Sequence, residues 1–163
     1  MDEQIMSHIE GMVNAAKQKH PIAMVHFGGI LCGDFEHNVY IQNMPGLKDM
    51  LDPKTGFALI EEAVSIAESM SDNPLGYHEY EMITGAYHAN TRTGEQPQGR
   101  RNFFAGDSWV YALGKKADYA QKALDAFKAG KHKLTNEEAA MMAPAIEDIA
   151  RASMQEHYNL LKL

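Results

Sequence analysis

One cysteine in 163 residues, Cys32, removes any intrachain disulfide and any CxxC metal or redox motif. A basic excess is also missing. The formal net charge is −7, which argues against a broad phosphate-binding face and so against nucleic acid or an anionic membrane as partner. No uncharged apolar run approaches the ~20 residues that cross a bilayer. The opening MDEQIMSHIE lacks the basic start and apolar core of a signal peptide. Together these point to a cytoplasmic, reducing location. The sequence patterns HExxH, GxSxG, GxGxxG, GxxxxGK[ST] and the calcium loop are absent, which lowers the odds for the enzyme classes that use them.

What is present suits a single globular domain over residues 1–163, long enough to bury a core, with 45% hydrophobic and 23% charged residues. Eleven methionines read mainly as adaptable core filling. Neither an internal repeat nor an interdomain linker stands out.

Apolar periodicity makes the chain mostly helical. Ile5, Ile9, Met12, Val13 and Ala16 share one face of a helix over 2–19, which Pro21 closes. Residues 22–42 read either as a buried helix with Gly28 and Gly29 at a close packing contact, or as a short β-hairpin turning on that Gly-Gly pair. The helix is favoured by its helical neighbours. Residues 43–56 form a loop with one helical turn at its centre. The clearest periodicity runs from Phe57 to Met70, and it puts Glu61, Glu62 and Glu68 on the water side, away from any site.

SDNPLG precedes a helix over roughly 77–90, and the polar stretch TRTGEQPQGRR follows it as an exposed loop. A helix clear from about Lys115 stops at Gly130. Thr135 and Glu138 form a capping box for the last helix, which Pro144 either kinks or restarts. Ile146, Ile149, Ala150, Met154, Leu160 and Leu161 line its apolar side, with His157 near the middle. The expected fold is all-α, with five or six helices and the hairpin as the alternative for 22–42.

Chemistry concentrates in two histidine-rich segments. HFGGILCGDFEH holds His26, Asp34, Glu36 and His37; HEYEMITGAYH holds His78, Glu79, Glu81 and His88. Imidazole with carboxylate suits Zn, Fe, Mn or Ni, with an open position for water or substrate. His26, His37, His78, Glu81 and His88 are the candidate ligands, and Glu79 or Glu36 the candidate general base. Arg100 and Arg101, with Arg92, are candidates to hold an anionic small-molecule substrate by paired hydrogen bonds. Cys32 has an apolar setting that favours an inert buried thiol over a nucleophile.

The leading expectation is a metal-dependent enzyme acting on a small molecule by hydrolysis, hydration or oxygen-dependent chemistry. The alternative is a non-catalytic helical module that binds a small ligand or forms a homo-oligomer. In that reading His78, Glu81 and His88, which fall in a column along one side of their helix, form a seam between helices.

Overall fold

The computed structural model describes residues 3–33, 47–91, 103–104 and 106–162. Those residues form six α-helices and one 3-10 turn, with no strand among them. In order these are α1 (Glu3–Lys17), α2 (Pro21–Cys32), the 3-10 turn (Leu47–Met50), α3 (Pro53–Ser69), α4 (Tyr77–Thr91), α5 (Asp107–Lys128) and α6 (Asn136–Leu161). They fall into two compact units, one carrying α1 to α3 and one carrying α4 to α6. No helix among the described residues is long and apolar enough to cross a membrane.

In the first unit, the ambiguous stretch after Pro21 is helical as far as Cys32. Pro21 sits in the first turn, where a missing N–H costs nothing, and Lys19 reverses the chain before it at φ 64°. Gly33, at φ 86°, ends α2 in the left-handed conformation that glycine adopts without a Cβ clash. The remainder of the proposed hairpin, residues 34–42, lies outside the described residues. α2 is apolar on nearly all sides because α1 and α3 both pack against it. Met24, Val25 and Cys32 have no exposed surface.

Gly28 lets α2 and α3 approach closely. A Cβ there would stand 2.8 Å from the Gly56 carbonyl oxygen. Asp52 caps α3 by accepting from the Thr55 amide (3.2 Å) and hydroxyl (2.6 Å), and Pro53 follows at the first helical position. Phe57, Ile60, Ala63, Val64 and Ala67 are buried along α3, while Glu61, Glu62 and Glu68 are exposed as their phase predicts. Glu62 meets Lys19 at 2.7 Å.

In the second unit α5 is central, with α4 and α6 both packed on it. Aromatic rings fill the α4–α5 contact. Tyr119 stacks on Tyr80 at 6.4 Å and on Tyr87 at 5.9 Å, and Phe104 stacks on Tyr87 at 5.7 Å. Toward α6, the His157 ring lies over Gly114 of α5, with Nε2 3.0 Å from where a Cβ would be. Gly130, at φ 79°, ends the α5 region, and the capping box of Thr135 and Glu138 starts α6. Pro144 lies inside α6, which runs through it as one helix.

Methionine is less internal than its number suggests. Met24 is fully buried, whereas Met6, Met70, Met141 and Met154 are exposed.

Candidate functional site

α4 presents four of the expected residues. Its first turn is tied down by backbone: the Tyr77 amide donates to the Lys131 carbonyl at 2.9 Å. Glu79 accepts from the Gly76 amide at 3.1 Å, so this carboxylate satisfies an otherwise orphan donor of the first turn. His78 is half-buried with its ring 5.2 Å from that of Tyr77. Glu81 is half-buried one turn further on and accepts the Tyr77 phenol hydrogen bond. Burial, and then the Glu81 charge, push the Tyr77 phenol above its ordinary value.

Tyr77, Glu81 and Thr84 line a small cavity over Ala120 and Ala123, with Ile146 and Ile149 on its α6 side. Its volume is about 30 Å³, room for about one or two water molecules. The Thr84 hydroxyl is turned back to the Tyr80 carbonyl at 2.8 Å. Such a space can hold water beside a carboxylate; it is too small for an organic substrate.

His88 is exposed in the last turn of α4. At 1.5 Å per residue it lies about 15 Å along the helix from His78, beyond the reach of one shared ion. His26, in the first unit, is half-buried on α2. It lines an apolar groove of about 450 Å³ between α1 and α2, together with His8, His20 and Met12. Glu36, His37, Arg100 and Arg101 lie outside the described residues. Among the described residues, no three His, Cys, Asp or Glu side chains are grouped so as to hold a metal ion.

A second groove runs along the second unit between α5 and α6, with a volume of about 470 Å³. Leu124, Ala150 and Met154 supply its apolar surface; Lys128, Glu147, Arg151 and Tyr158 supply its polar edge. Lys128 and Glu147 stand 3.6 Å apart across it. Sequence periodicity placed Ile149, Met154 and Leu161 on one apolar side of α6, and they are 56%, 48% and 63% exposed. Tyr158, which periodicity did not single out, is 53% exposed. The apolar arc of α6 is wider than the strip α5 covers. The signal available in the sequence was Met154, Tyr158 and Leu161, whose steps of four and three keep them on one side of the helix.

The chain was compared with protein-family models, with characterised proteins and with solved structures, and none of them matches.

Proposed function

We propose that the protein is a non-catalytic helical module that associates with itself through α6. The observation that carries this reading is the exposed apolar row of Met154, Tyr158 and Leu161 beside the α5–α6 groove. Exposed large side chains in a contiguous row, rimmed by charge, suit an association surface better than solvent. The cavity at Glu81 is too small for a substrate, and the α4 histidines stand too far apart to share an ion. Both favour association over catalysis.

Sedimentation velocity over a concentration series tests the reading. A sedimentation coefficient that rises to that of a dimer supports it. A monomer up to the solubility limit overturns it.

A second reading, a metal-dependent enzyme, is favoured by one observation: His78 and Glu81 lie one turn apart on α4 and both are half-buried. Helical bundles use Glu-x-x-His pairs as ligands, and His78 and Glu81 have that separation in reversed order. A centre on this pair would draw its other ligands from outside α4, and the metal would supply Lewis-acid chemistry beside the His78 and Glu81 side chains. Elemental analysis after expression with added Zn, Fe, Mn or Ni decides it. Near-stoichiometric metal that His78→Ala abolishes without unfolding the protein supports a centre; metal-free protein counts against it.

A further inference from the structure

We infer that the partner of α6 is α6 of a second copy, lying antiparallel, with the two-fold axis passing beside Met154. This rests on the self-association proposed above and adds the orientation and register.

A symmetric dimer brings the same patch of both copies together, so residues equidistant from the axis meet. With the axis at Met154, Met154 meets its own counterpart. Arg151 meets Tyr158, and Glu147 meets Leu161 and Lys162. A guanidinium then lies on a phenol ring and a carboxylate faces an ammonium, twice each by symmetry. A parallel pair stacks the same row differently, with Glu147 against Glu147 and Arg151 against Arg151. Like charges then face each other at each polar position. Antiparallel packing also opposes the two helix dipoles.

The present partners of these groups yield readily. Arg151 contacts Asp148 at 2.9 Å with both side chains about 70% exposed, and Glu147 is 3.6 Å from an exposed Lys128. Exposed pairs of this kind contribute little. Lys162 already lies 4.4 Å over the Tyr158 ring, so the cation stands on the face that the pairing uses.

The test is site-directed cross-linking combined with charge exchange in the full chain. Under oxidised glutathione, Met154→Cys forms a covalent dimer. Tyr158→Cys does not, because antiparallel packing holds its two copies about 12 Å apart along the axis, beyond disulfide reach. Met141→Cys, 82% exposed on the far side of α6, also forms no covalent dimer. Cys32 is fully buried and does not interfere. Glu147→Lys and Lys162→Glu each weaken the dimer about twofold to fivefold, and the double exchange restores it. Covalent dimers from both Met154→Cys and Tyr158→Cys indicate parallel packing and overturn the inference, as does a dimer insensitive to either charge change. In both cases sedimentation still shows a dimer and the association itself stands. A monomeric wild type removes both.

Discussion

Gly56 on α3 faces Gly28 on α2 so closely that a Cβ on Gly56 would lie 2.7 Å from the Gly28 carbonyl oxygen and 2.7 Å from the Cys32 Sγ. Two helices meet here backbone to backbone, and the buried thiol fills the space beside the crossing.

Gly56→Ala therefore forces the helices apart. Overpacking of this kind typically costs about 1–3 kcal/mol, to be measured by urea unfolding monitored by circular dichroism. Gly11→Ala is the control. Its Cβ would meet nothing within 4 Å, so it should be neutral or stabilising by up to about 1 kcal/mol through helix propensity. Equal effects of the two substitutions would refute the crossing.

The α5–α6 contact should respond more gently. A methyl on Gly114 meets the His157 ring at 3.0 Å, and a half-buried side chain can swing aside where a backbone carbonyl cannot. Gly114→Ala should cost less than Gly56→Ala. In a double-mutant cycle, His157→Ala should relieve part of that cost. Strict additivity would mean that the two residues do not touch.

Stability should fall in acid through two identified caps. Thr55 hydrogen bonds, chiefly from its hydroxyl, hold Asp52 below its ordinary value, and the Thr135 amide does the same for Glu138. A carboxylate whose pKa is depressed by folding adds stability above its unfolded pKa, and that contribution vanishes as pH drops through the folded value. Melting temperature should thus decline below the ordinary carboxylate range. In Asp52→Asn and Glu138→Gln variants the decline should be shallower.

Tyr77 gives the opposite limb. Its phenol is raised, first by burial and then by Glu81, so its contribution is complete below 10.0, the ordinary value, and is lost as pH climbs toward the folded value. In ultraviolet titration, wild type and Tyr77→Phe should differ by one phenol that ionises above the ordinary range. Tyr77→Phe should abolish that late step. A wild-type titration that differs from that of Tyr77→Phe by a phenol ionising in the ordinary range would contradict the Tyr77–Glu81 pair.

Much of the local structure was legible in the residues themselves. Gly130 and the Thr135–Glu138 box marked their helix ends, and the phase of Glu61, Glu62 and Glu68 placed them in water. Starts were read less well. α3 begins at Pro53, four residues before Phe57, because Asp52 and Pro53 act as cap and first turn rather than as loop. α5 begins at Asp107, where Gly106 at φ 60° precedes it, well before the clear periodicity at Lys115. How much of the apolar side of α6 is covered was not legible, for a different reason. Periodicity reveals that an apolar arc exists, whereas a neighbour's width decides how much of it is covered. Whether the two histidine segments converge is likewise not set by spacing. Spacing along one helix sets distances on that helix, and nothing in it fixes where a distant segment docks.

The chain's single tryptophan, Trp109, stands in the opening turn of α5. Indole emission consequently reports on the unit that carries α4 to α6, while peptide ellipticity sees every helix. Recording both signals during one melt would reveal whether the two halves come undone as one cooperative body or in succession.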